Sequence, residues 1–317
     1  MCSKIISMAL LLLMPLFKCS SQENIQKVDG FLPEIFSQYP NVRDVAISIG
    51  GDEIYFTAQS YLGELSAILY FKTENGFFSK PQVAPFSGKY HDLEPFLSTD
   101  GLRLYFSSNR PLEEGVGEVK DYDIWYVERL SIKSAWSAPV NMGYPINTES
   151  NEFYPSVSRL NNLYFTSDGP LSKGKDDIFV SKWRKGTYDL PVSLSDSINS
   201  DGIEFNAFIA PDESYLMYTC YNRKDAYGSG DLYISYLDGN GLWTKAVNMG
   251  PNINSPKMDY CPFVDTSNGI LYFTSKRNSV QTKFAMSQSL DKLLEEMNRY
   301  ENGLSRLYKV QLGPLKP

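Results

Sequence analysis

Short apolar runs alternate with polar turns along nearly the whole chain, and one signature recurs. A turn rich in Gly, Asp and Asn leads into an apolar-aromatic segment: GGDEIYFTAQS from residue 50, DGLRLYFSSNR from 100, LNNLYFTSD from 160, DESYLMYTCYNR from 212 and SNGILYFTSKR from 267. Aligning Tyr55, Tyr105, Tyr164, Met217 and Tyr272 gives steps of 50, 59, 53 and 55 residues. That period is too long for one hairpin and matches a four-stranded propeller blade.

Each repeat divides into the same parts. Strand A is short and apolar (VAISI, PFLS, PSVS, AFIA, PFVD), and a tight turn joins it to strand B, the LYF segment. Strand C reads AILYF, DIWYV, DIFVS, DLYIS and RLYKV. Strand D is expected to open at Trp136, Tyr188 or Trp243, and the links INT or INS lead into the next repeat. The last repeat has strands A, B and C but no D. Trp136 to Pro155, Tyr188 to Ala207 and Trp243 to Pro262 are each 19 apart, and the same interval before Val45 lands on Gln26. The segment Ile25–Asp29 is therefore predicted to supply the missing outer strand, which leaves no open sheet edge. The pattern predicts an all-β propeller of five four-stranded blades, one domain spanning 25–317. Between strands B and C of the last repeat, Leu290, Leu293, Leu294, Met297 and Tyr300 recur at helical spacing, with Ser289 as a cap and Asn302-Gly303 as a stop. This predicts a helix over 289–301 whose apolar face lies on the propeller as a lid; a partner-binding helix is the alternative.

The first residues add a location. Lys4 precedes an apolar run from Ile5 to Phe17, broken by Pro15 and short for a membrane span, which reads as a signal peptide over 1–18. Leu16-Phe17-Lys18-Cys19 is similar to the cleavage site of bacterial lipoproteins, although Lys18 stands where a small residue is usual. Cys19 would then carry the lipid and residues 19–24 would form a short tether, placing the protein on an envelope membrane, most naturally the outer one. Cleavage there moves the net charge of the 317-residue chain from −7 to −9, an acidic balance that argues against nucleic acid as a partner. Cys220 and Cys261 lie inside apolar strands and read as packed free thiols.

The residues acid-x-x-Pro, DG-x-x-LYFSSNR, DIWYV, W-x-x-P-x-N-M-G and IN-[ST] resemble the TolB-like (WD-repeat-like) β-propeller repeat family over about 42–312. The resemblance implies the propeller fold, an envelope lipoprotein, and an envelope or peptidoglycan-associated protein as partner. It implies no cofactor, and a propeller fold by itself does not choose between binding and catalysis.

Charged residues recur as well. Asp92, Glu152, Glu204 and Asp259 each stand three residues before the strand A anchor, while Arg110, Arg223 and Arg277 end strand B. Antiparallel pairing brings the start of A against the end of B, which predicts the ion pairs Asp92–Arg110, Glu204–Arg223 and Asp259–Arg277. Such partners should lower the acids' pKa. Blade 3 has no arginine there, so Glu152 is expected to face Asp168, with Lys173 or Lys175 as candidate counter-charges. Asp44 occupies a similar place in blade 1. With His91, these three acids are the candidates for a ligand or cation. The single His91 excludes a multi-histidine metal centre, and no G-x-S-x-G, H-E-x-x-H, P-loop or C-x-x-C motif occurs. A carboxylate-dependent glycosidase, with acids at the funnel, is the catalytic alternative to a non-catalytic binding or scaffolding module. The B–C loops differ most in length, and the face they form is the expected binding surface.

Overall fold

The structure, a computed structural model, describes residues 27–74, 76–113 and 119–315. Five antiparallel sheets each supply four blade strands, A to D from the axis outward, and in blade 1 the short strand Phe77–Phe78 pairs with the end of strand C as a fifth. The A strands are Asn41–Ile47, Asp92–Leu97, Glu152–Val157, Ile203–Ile209 and Asp259–Asp265, and each touches the A strands of both neighbouring blades. Strand B explains the repeated LYF run. A blade packs between two others, so Leu104, Tyr105 and Phe106 are all buried and no polar alternation is needed.

The ring closes through the N-terminal segment. Asp29–Gly30 forms the fourth strand of blade 5, with Asp29 opposite Lys309 and Gly30 opposite Tyr308, and the Phe31 N–H donates to the Leu307 carbonyl at 2.9 Å. The closing residues thus sit at the late edge of the predicted Ile25–Asp29. Helix α1 (Pro33–Phe36) follows, with Phe36 fully buried against Phe56 and Phe71 of blade 1. The expected signal peptide, Cys19 and the tether lie outside the described residues. Among the described residues, no helix is long and apolar enough to cross a membrane.

Strand D differs from its expected form. It is only two residues long, Val140–Asn141, Val192–Ser193 and Val247–Asn248 in blades 2 to 4. Trp136, Tyr188 and Trp243 precede it and reach the preceding blade instead. Trp136 Nε1 donates to the Tyr55 hydroxyl at 3.0 Å, and Trp243 meets Tyr164 edge to face. The links supply what the short strand lacks. Asn147, Asn199 and Asn254 each accept a backbone N–H through Oδ1 and donate through Nδ2 to the carbonyl of the same strand C residue, Ile124, Ile178 or Leu232. One side-chain amide thereby stands in for a backbone pair.

Helix α2 spans Leu290–Met297, and Ser289 caps it by accepting the Lys292 N–H. Its orientation corrects the lid expectation. Leu290, Leu294 and Met297 are exposed and Leu293 is half-buried. Of the expected stripe Tyr300 alone, beyond the end of the helix, packs on the core against Tyr308, while Glu296 faces inward, pairs with Arg299 and accepts the Gln281 N–H. Helical spacing marks an apolar stripe but not which way it points.

The closing strand leaves no room beside Gly30, where a Cβ would lie 2.9 Å from the Tyr300 ring. Gly30→Val is expected to cost about 1–3 kcal/mol by overpacking, read as a lower urea midpoint with an unchanged slope.

Candidate functional site

The inner strands define the centre. Each A strand carries one bulge, and in each the bulged residue is left-handed: Asp44, Glu94, Tyr154, Asn206 and Cys261 have φ between 50° and 60°. None is glycine, so five strained positions recur at one structural level. The bulge turns the backbone N–H toward a neighbouring blade. Asp44, Glu94 and Asn206 donate to the hydroxyls of Thr274, Thr57 and Thr166 in the preceding blade, at 3.1–3.2 Å. The Tyr154 N–H donates to the Glu94 carboxylate at 2.8 Å.

Arg43 gathers the axial side chains. Its Nε donates to both oxygens of Asp44 at 2.8–2.9 Å, and its Nη2 donates to Glu94 Oε1 at 2.8 Å and to the Cys261 sulfur at 3.4 Å. The Asn206 amide donates to Glu94, and the Cys261 thiol donates to Asn206. Burial pushes the Glu94 carboxyl up to about 7 against the attraction of Arg43. The cluster has one arginine for two acids, and every acid oxygen is engaged from inside the protein. It plugs the axis.

The radial acids lie one step out. Arg110 meets Asp92 at 2.6 Å, and Arg223 meets Glu204 and Arg277 meets Asp259 at 3.4 Å. The serines or threonines of the links hold the same acids: Thr148 bonds Glu152, Ser200 bonds Glu204 and Ser255 bonds Asp259, each through its N–H and its hydroxyl. The expected drop in acid pKa does not hold for Asp259, whose burial raises it despite Arg277.

Blade 3 is the exception. Gly169, two residues after Ser167, stands where blades 2 and 5 place Arg110 and Arg277. Glu152 is buried with Thr148 and Ser167 as its side-chain partners, and burial pushes it up to about 7, helped by Asp123 and Asp121. Asp168 does not face it. Its oxygens accept the backbone and side-chain N–H groups of Asn151. Lys173 pairs with Asp196. His91 is likewise occupied: Nε2 donates to the Gly63 carbonyl at 2.6 Å, and Nδ1 accepts the Tyr122 hydroxyl at 2.8 Å. Asp44 belongs to the axial plug and not to the radial set, where blade 1 has Val42. The four ligand candidates are therefore dispersed, and no cluster of three or more metal-binding side chains occurs among the described residues. Cys220 and Cys261 are free and buried.

Sequence reasoning missed Glu94, Arg43 and Asn206. A usable signal existed for Glu94: it immediately precedes the anchor Pro95, as Tyr154 and Cys261 precede Pro155 and Pro262.

No protein-family model and no curated protein matches the chain. Among solved structures it is similar to the endo-arabinase from Bacteroides thetaiotaomicron, at 14% identity and TM-score 0.53, covering 88% of this chain and 96% of that one. The α-L-arabinofuranosidase from Lactobacillus brevis gives 14% identity and TM-score 0.48, covering 89% of this chain and 98% of that one. TolB from Acinetobacter baumannii gives 12% identity and TM-score 0.44 over 85% of this chain and 54% of that one. The chain thus matches about half of the TolB chain. The first of these likenesses supports the propeller architecture and nothing finer.

Two outcomes test this site. Arg43→Met leaves Asp44 and Glu94 buried without their cation and is expected to destabilise by about 3–5 kcal/mol, measured by denaturant unfolding. Glu152 holds its proton more tightly folded than unfolded, so its contribution is complete below about pH 4.3, the ordinary glutamate value, and is lost as pH rises through about 7. Glu152→Gln should flatten that part of the stability–pH curve, and Gly169→Arg, which supplies the missing cation, should do the same.

Proposed function

We propose that this chain is a non-catalytic binding propeller of the cell envelope, anchored by lipid at Cys19, which receives an envelope protein on the face formed by its B–C loops. One observation carries the reading: every B–C loop on that face presents a large apolar side chain to solvent. Leu62 is 87% exposed in blade 1, Leu171 is 72% exposed in blade 3 and Leu290 is 69% exposed in blade 5, while Leu112 and Tyr227 do the same in blades 2 and 4. Five exposed apolar contacts around a half-buried floor of Phe153 and Phe205 suit a protein surface. The turned-out stripe of α2 extends this rim.

The axial plug supports the absence of catalysis. A glycosidase needs two open carboxylates flanking a bond. Here Asp44 and Glu94 are clamped by Arg43, whose side chain is itself only 17% exposed. Glu152 and Asp168 are engaged separately by Thr148 and Asn151.

The test is affinity capture from solubilised envelope, comparing the wild type with a Leu62→Ser/Leu171→Ser/Leu290→Ser variant. These exposed sites leave the core intact, so the thermal midpoint should not move. Loss of one specific protein from the variant's eluate is the expected result. Identical eluates would remove the B–C face from the account. Release of sugar from a glycan substrate, abolished by Glu152→Gln, would put the glycosidase reading in its place.

A further inference from the structure

We propose that the groove between blades 2 and 3, on the face opposite the B–C loops, is a binding site for a neutral oligosaccharide. The groove has a volume of about 700 Å³, within the range of small-ligand sites. Its walls are aromatic. Trp136 stands on one side, held by its bond to Tyr55 and by the Arg129 guanidinium 4.2 Å from its ring centre. On the other side, the hairpin Trp183–Arg184/Thr187–Tyr188 projects from the C–D connection of blade 3 and sets Trp183 and Tyr188 edge to face at 4.7 Å. The indole N–H of Trp183 has no acceptor among the described residues, and its ring is only partly buried.

The floor determines the charge of the occupant. Arg103 lies over the Tyr126 ring at 4.5 Å and pairs with Glu128 at 3.0 Å. Arg129 is held by both oxygens of Glu53. Both cations are therefore neutralised within the protein, which leaves nothing to recruit an anion and no unpaired acid on the floor to recruit a cation. The rim is polar, with Asp100, Ser137 and Asn161 at the opening. A sugar chain matches this combination: its C–H faces lie on rigid aromatic rings while its hydroxyls reach the amide, hydroxyl and carboxylate groups around them. The site uses no residue of the axis or of the B–C face, so it stands or falls apart from the protein-binding reading.

The purified chain would be titrated with chitohexaose, xylohexaose and arabinohexaose, and separately with a proline-rich decapeptide, by tryptophan fluorescence and calorimetry. Saturable binding of at least one hexasaccharide is expected. Trp183→Ala should weaken it about ten-fold, the loss of one stacking contact, without moving the thermal midpoint. Ala135→Arg, which fills the groove from an exposed position, should weaken it independently of the hairpin, and Leu62→Ser should bind like the wild type. The assignment is overturned if none of the three sugars binds, if both groove variants bind as tightly as the wild type, or if the peptide alone binds, which would make the groove a site for an extended chain.

Discussion

The structure depends on a left-handed residue inserted once into each inner strand. A regular A strand would spend these N–H groups within its own blade and leave neighbouring blades without a polar link at the axis, whatever bonds such as Trp136–Tyr55 and Arg129–Glu53 join them further out. The bulge frees one N–H per blade, and in blades 1, 2 and 4 a threonine of the preceding blade accepts it. The same backbone turn points five side chains at the axis. The strain of a positive φ outside glycine is thus balanced by bonds that set the relative orientation of whole blades.

Those five side chains share no chemistry, and their differences decide what the centre can do. Arg43 holds two acids and a thiol, the Asn206 amide bonds one of those acids and that thiol, the Tyr154 phenol donates to the Pro262 carbonyl, and the result is a closed polar core in place of an open funnel. Buried charge of this kind contributes little net stability compared with apolar packing, but it tolerates few alternative arrangements. It therefore specifies how blade 1 meets blade 5, the junction between the two ends of the fold. With the centre committed to structure, the exposed apolar side chains and the open aromatic groove lie further out, on the loops and between blades.

Much of the architecture was legible because the repeat imposes the same burial five times. The LYF runs stand out since both faces of strand B are covered, and the fixed interval before each anchor exposed the missing outer strand. The pairs Asp92–Arg110, Glu204–Arg223 and Asp259–Arg277 were legible because antiparallel register ties a separation along the chain to a meeting in space. The axial cluster was not. A bulge shifts the register by one, so Asp44 reads as the blade 1 member of the radial acids when Val42 holds that place. Gly169 shows the opposite case, where the absence of an arginine was visible but the partner of Glu152 was not, because Thr148 lies in the link and not across the hairpin. The direction of α2 was hidden for a different reason: Glu296 is drawn inward by Arg299 and Gln281, contacts that no apolar periodicity encodes.

The closing strand also has a consequence in time. Asp29 and Gly30 are among the first residues of the fold to be synthesised, yet their partners Lys309 and Tyr308 are among the last. Four blades can assemble in order as the chain emerges, while the earliest segment stays unmated throughout. Contacts so distant along the chain form slowly, and closure of the ring cannot precede the docking of the oldest part of the polypeptide onto the newest. A chain interrupted late in its synthesis would hold nearly complete blades and still be an open arc.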